Sequence, residues 1–291
     1  MQISLQGATL EFETAIYLRT LHGLAILFKF AKLNFMLQTE EKSNNEVVDT
    51  EEPIITQELA EMFKAGVHFG YSRSRRHPKM EPYLFGIRNN IEVFDLDKVK
   101  AKLDEALAFL RKMGEEKKFV VFVGTKPSVR DMVEKTAREL DMPYVKERWL
   151  GGLFTNFTVL RKRMDYFEGL KQAKKSGELE KYTKKEQLEI ERETAKLDRN
   201  LGGLVKLKKL PDALVVVDPK DERIAVREAQ ARGVPVVAIL SSDNNPEGID
   251  FLVPANDSSS ASVAYLLSRI GEAYKEGLNL GALKTDDKDK K

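Results

Sequence analysis

The chain has no cysteine, which excludes disulfides and thiolate metal sites, removes zinc-finger and thiol-redox functions, and suits a reducing cytoplasm. Histidine is scarce: three in 291 residues, of which only His68 and His77 lie in the orderly part of the sequence. Both sit among cations, which makes them poor general bases, and no serine or carboxylate partner is set at a useful spacing. His68, between Val67 and Phe69, is expected in the core or in a ring stack. Neither sign of charge dominates, because 48 Lys plus Arg against 46 Asp plus Glu give a net charge of +2. An anionic partner must therefore be met by local patches. Long hydrophobic runs are missing too. The apolar stretch over residues 16–37 is broken by Arg19, His22, Lys29 and Lys32, short of the ~20 apolar residues a membrane span needs. No membrane partner is expected.

What is present is ample material for a core. At 42% hydrophobic and 32% charged residues, the chain reads as one large domain with additions. Residues 1–52 read as an N-terminal extension, either disordered or amphipathic, or upstream sequence ahead of a start at Met36, which would open an acidic polar leader. Glu11 and Glu13 argue against a targeting peptide.

From Pro53 onward the pattern is regular. ITQELAEMFKAG reads as a short helix, opened near Thr56 and Glu58 and ended at Gly66. PYLFGIRNNIEVFDL reads as a β-hairpin around Arg88-Asn89-Asn90, since asparagine tolerates positive φ. Asp95 or Asp97 then caps a helix whose apolar face is Val99, Leu103, Ala106, Leu107 and Leu110. KFVVFVG, DALVVVD and VPVVAIL are continuous apolar strands of the doubly buried type, PYVKERW is a shorter one, and helices alternate with them. The fold class is α/β: a Rossmann-like parallel sheet covered by helices. The α/β domain is expected over 53–154 and 205–280, with a charged tail at 281–291.

The rhythm is interrupted between Trp149 and Ala213. A helix starting at Thr155 or Asn156 carries Phe157, Leu160, Met164 and Phe167. Thr183-Lys-Lys-Glu186 has capping-box spacing for a second helix, with Ile190, Thr194, Leu197, Leu201 and Leu204 in a coiled-coil seam. Residues 155–204 are thus expected as a protruding antiparallel coiled-coil hairpin. Its charged faces, including Arg161, Arg163, Lys171 and Lys174, are either a solvated surface or a nucleic-acid contact.

The strand ends invite a nucleotide, yet Gly124-Thr125-Lys126 lacks both glycine-rich phosphate-binding patterns. Ordinary strand-to-helix turns are the favoured reading. Asp218, Asp221 and Asp243 could jointly hold a structural magnesium ion; no other cofactor is expected. The strongest functional signal is residues 65–90, where Arg73, Arg75, Arg76, His77, Lys79 and Arg88 are interleaved with Phe69, Tyr71, Tyr83 and Phe85. Arginine forks bind phosphates, and aromatic rings stack on unpaired bases. RNA contact by this stretch is expected, and Lys126 could also meet phosphate.

The blocks AGVHFG, RRHPKMEPYLFGIRN, FVGTK, ERWLGGLFTNF, LPDALVVVDP and GIDFLVPANDSS together resemble the family of the second small-subunit ribosomal protein of bacteria, from Ile54 to about Leu278. The resemblance implies a non-enzymatic protein of the cytoplasmic ribosome, bound to small-subunit ribosomal RNA near the head–body junction. It also implies neighbouring small-subunit proteins as partners, above all the first, which helps recruit messenger RNA. In the Trp149-Leu150-Gly151-Gly152 block it implies a packed Trp149 and a sharp exit from the sheet. Arg148, Asn156, Arg161 and Arg163 beside that block join the expected RNA contacts. Tyr71 and His77-Pro78 depart from the residues common in the family.

Overall fold

The computed structural model describes residues 57–288; the expected extension over 1–52 and the cap at Thr56 lie outside them. Helix α1 (Gln57–Lys64) leads into β1 (Phe69–Ser72), β2 (Leu84–Arg88) and β3 (Ile91–Phe94), which pair antiparallel in the order β1-β3-β2. Asn89 and Asn90 both take positive φ, 50° and 63°, the twist that a two-residue hairpin turn requires. β1 was not expected, because no strand was assigned to the sequence between Gly66 and Pro82. It pairs with β3 through Phe69 opposite Val93 and Ser72 opposite Ile91, with an irregularity between.

Helix α2 (Leu96–Glu115) starts where the Asp95 carboxylate accepts the Asp97 N–H at 3.2 Å. β4 (Val120–Val123), α3 (Arg130–Glu139) and β5 (Tyr144–Val145) follow, then α4 (Phe157–Lys175) and α5 (Lys184–Leu201). β6 (Ala213–Val217), α6 (Arg223–Ala231), β7 (Val236–Leu240), β8 (Phe251–Pro254) and α7 (Ser260–Lys288) complete the described chain. The large sheet is all parallel in the order β5-β4-β6-β7-β8. Every residue of β4, β6 and β7 is buried, so helices and loops cover both faces, as continuous apolar strands demand. β5 is shorter than the PYVKERW run, and α7 continues through 281–288, where a tail was expected.

Helices α2 and α7 cross at backbone contact. A Cβ on Gly277 would run into the Arg111 carbonyl, and one on Gly114 into the Tyr274 carbonyl. Gly277→Ala gains helix propensity of about 1 kcal/mol but must push the two helices apart. The expected net loss is about 1–3 kcal/mol, read as a lower urea midpoint; an unchanged midpoint would mean that the crossing can open without cost.

The capping box forms as expected: the Thr183 amide donates to Glu186 at 2.9 Å and the Glu186 amide donates to Thr183 at 3.4 Å. α4 and α5 lie side by side, joined through Gly177 at φ 77°. Met164, Phe167, Leu197, Leu201 and Leu204 are buried near the root, while Ile190 and Thr194 farther out are only partly covered. Lys171–Asp198 at 2.6 Å and Lys174–Glu191 at 2.8 Å tie the two helices across their exposed flanks.

Candidate nucleic-acid interface

The chain leaves β4 for β5 on one side and returns to β6 on the other, so the order reverses between β4 and β6. A ligand of such a fold would enter there. Here the position is filled by the protein's own groups. The Thr125 amide donates to the Glu222 carboxylate at 3.1 Å, and the Thr125 hydroxyl donates to the same oxygen. Burial raises the pKa of Glu222, and the bonds from Thr125 offset only part of that rise. Lys126, with a side chain 17% exposed, is ion-paired to Asp218 and, at 3.3 Å, to Asp257. Burial by itself would lower its pKa, but these two carboxylates hold it above the ordinary lysine value. Asp257 is pushed up to about 6, first by burial and then by the charge of Asp218.

The basic stretch is fastened across the same strand ends. The Tyr71 amide donates to the Ser242 hydroxyl at 2.8 Å, and the His77 amide to the Ser242 carbonyl at 2.8 Å. The Tyr71 hydroxyl meets that of Ser258 at 2.6 Å, and its ring lies 6.0 Å from the Lys126 ammonium. Lys126 is therefore an internal counter-ion and not the phosphate ligand expected. Asp218 also accepts the Lys220 amide at 3.0 Å, and Asp243 pairs with the Lys220 ammonium at 2.7 Å. These aspartates meet lysines instead of converging, and among the described residues no group of three or more His, Asp or Glu could hold a metal. Clefts of about 450 Å³ and 420 Å³ lie elsewhere, between β5 and the hairpin root and between α3 and α7.

Within the basic stretch the cations divide by what they touch. Arg76 lies 3.7 Å from Glu92, which is 1% exposed, and 4.0 Å from Glu81. A carboxylate so deeply buried needs a nearby cation, so Arg76 serves the fold and leaves the expected RNA set. Lys79 is ion-paired with Glu247 at the surface, a contact of little stabilising effect. His77 precedes a short 3₁₀ segment, its Nδ1 accepting the Lys79 amide at 3.3 Å.

Arg73, Arg75 and Arg88 are exposed and, among the described residues, have no carboxylate partner. The Arg73 amide donates to the Asn90 carbonyl at 3.2 Å, which sets Arg73 beside the turn that carries Arg88. The Arg75 guanidinium lies 5.7 Å from the Tyr71 ring centre. Lys220 is likewise held by a carboxylate: its bond to Asp243 raises its pKa above the ordinary lysine value, so it is not counted with the free arginines. His68 is buried and stacked on Phe63, ring centres 4.4 Å apart. Burial, then the charge of Arg88, lowers its pKa to about 4, so it is neutral near pH 7.

A second group stands at the hairpin root. Arg148, Asn156 and Arg163 are exposed there. Arg161 is not available: it donates to the carbonyls of Val205 at 3.0 Å and Leu207 at 3.2 Å and pairs with Asp165 at 2.6 Å. It therefore ties α4 to the chain returning from α5, a correction to the expected contact set. The loop itself is held by Glu228, unnoticed in the sequence, whose carboxylate accepts the amides of Gly152 at 2.6 Å, Phe154 at 2.9 Å and Thr155 at 3.3 Å. Burial would raise its pKa, yet these amide bonds together hold it below the ordinary carboxylate value. Gly152, at φ 91°, supplies the turn that points its amide inward.

The arrangement is thus a parallel α/β domain with a self-filled strand-end crevice, two groups of exposed arginines and a helical hairpin. The family model for Ribosomal protein S2 matches residues 62–277, which takes in both arginine groups and the hairpin. With that match, the chain belongs to the ribosomal protein S2 family: it is a structural, non-enzymatic protein of the small ribosomal subunit that works in translation.

Proposed function

We propose that the protein is anchored to small-subunit ribosomal RNA through Arg73, Arg75 and Arg88, with Arg148, Asn156 and Arg163 as a second contact. The observation that carries this reading is the division of the cations. Arg76, Lys126 and Arg161 are committed to internal partners, whereas these arginines stand exposed and, among the described residues, without carboxylates. A guanidinium without an internal acid is free to displace the counter-ions of a phosphate chain. On this reading the protein lies near the head–body junction on the solvent side of the small subunit, in the cytoplasmic ribosome. There it holds the first small-subunit protein and so helps recruit messenger RNA.

Replacing Arg73, Arg75 and Arg88 together by alanine is expected to weaken incorporation into small subunits without changing the unfolding temperature. The slope of log affinity against log salt should become shallower by about 2 to 3, since each lost phosphate contact removes roughly 0.7–0.9. Sedimentation with small subunits across a salt series measures both quantities. Unchanged incorporation with an unchanged slope would overturn the assignment.

A further inference from the structure

Antiparallel residues directly opposite each other share a face of the sheet. In the small sheet Phe69 lies opposite Val93, Val93 opposite Gly86, and Ile91 opposite Arg88. One face therefore carries Phe69, Val93, Gly86, Ile91 and Arg88; Val93 is buried at its centre, and the exposed parts are its edges, with Phe69 43% exposed and Ile91 40%. Around Gly86 there is open space, because a Cβ built there would meet nothing within 4 Å. The result is a shelf with an aromatic ring on one side, bare backbone on the other and an apolar floor between. The one acid of these strands, Glu92, is buried beside Arg76. Arg73 and Arg88 stand at the rim, beside Asn89 and Asn90.

Building on the RNA reading above, we propose that this outer sheet face is a platform for an unpaired nucleobase, stacked on Phe69 with its flanking phosphates on Arg73 and Arg88. The ring is already oriented for the task. Phe69 leans on His68, ring centres 4.0 Å apart at 40°, and His68 stacks on Phe63 at an interplanar angle of 4°. His68 is neutral near pH 7, so the rings packed beneath Phe69 place no charge next to an added base. Cations at the rim and, among the described residues, no carboxylate on the face fit a polyanion and oppose an acidic peptide. A duplex buries the faces of its bases within its own stack, whereas an unpaired base offers a face to the ring.

The test uses the full chain, a single-stranded oligoribonucleotide carrying 2-aminopurine, and a blunt RNA duplex of the same length. The wild type is expected to prefer the single strand and to change the 2-aminopurine fluorescence on binding. Phe69→Leu keeps an apolar side chain beside His68 but has no aromatic face. It should bind the single strand about ten-fold more weakly or worse, lose the fluorescence change and leave duplex affinity unmoved. Phe69→Tyr should retain all three properties. Equal loss for single strand and duplex, or no loss with Leu, overturns the platform while leaving the arginine anchor standing, as does capture of an acidic peptide with RNA binding unmoved. A wild type that binds neither RNA would overturn the anchor and the platform together.

Discussion

Trp149→Ala should lower the free energy of unfolding by about 3–5 kcal/mol. The indole is 5% exposed and stands edge-on to Phe154, ring centres 5.0 Å apart at 88°. Its removal leaves a void at the place where the chain exits the parallel sheet for the hairpin, and the neighbouring loop is pinned by hydrogen bonds that resist collapse. Urea unfolding measures the effect, with a lower midpoint and an unchanged slope expected. An unchanged midpoint would show that the void closes without loss.

Glu228→Ala is expected to lower stability by about 3 kcal/mol or more, because it deprives three loop amides and the Thr155 hydroxyl of one shared acceptor. Hydrogen bonds to the charged form favour ionisation, so the folded pKa of Glu228 is lowered. For a carboxylate of this kind the contribution is fully present above the unfolded value of about 4.3 and is lost as pH falls through the lower folded value. The stability difference between wild type and Glu228→Gln should therefore be full at pH 7 and shrink below about pH 4. A difference that stays constant across that range would show that the charge does not matter. The Trp149 Nε1 lies 3.5 Å from the same carboxylate, so the two truncations should couple in a double-mutant cycle. Both loosen the root of the hairpin where Arg163 stands, so if the proposed second contact holds, both should also impair incorporation into the small subunit.

Much of this fold could be read from local pattern. Continuous apolar runs marked β4, β6 and β7, helical spacing marked α2, Asn89-Asn90 marked a hairpin turn, and Thr183 with Glu186 marked the start of α5. Each signal lies within a few residues of the structure it specifies, and backbone geometry makes those neighbours meet whatever the rest of the chain does. β1 escaped notice because a four-residue strand with a register irregularity offers too little alternation to be recognised without its partner β3.

The candidate site was legible only as a list of cations. Arg75 and Arg76 are adjacent in sequence, yet one is exposed over Tyr71 and the other faces buried Glu92. Lys126 meets Asp257 across 131 positions, and Glu228 reaches back 76 positions to the Gly152 amide. By itself the sequence determined residue types, periodicity and turns, and through them the parallel α/β fold. Which charges are neutralised within the protein, and which are left exposed, was decided by the tertiary structure. Ion pairing and desolvation act over a few ångströms of space, and only folding brings distant parts of the chain that close.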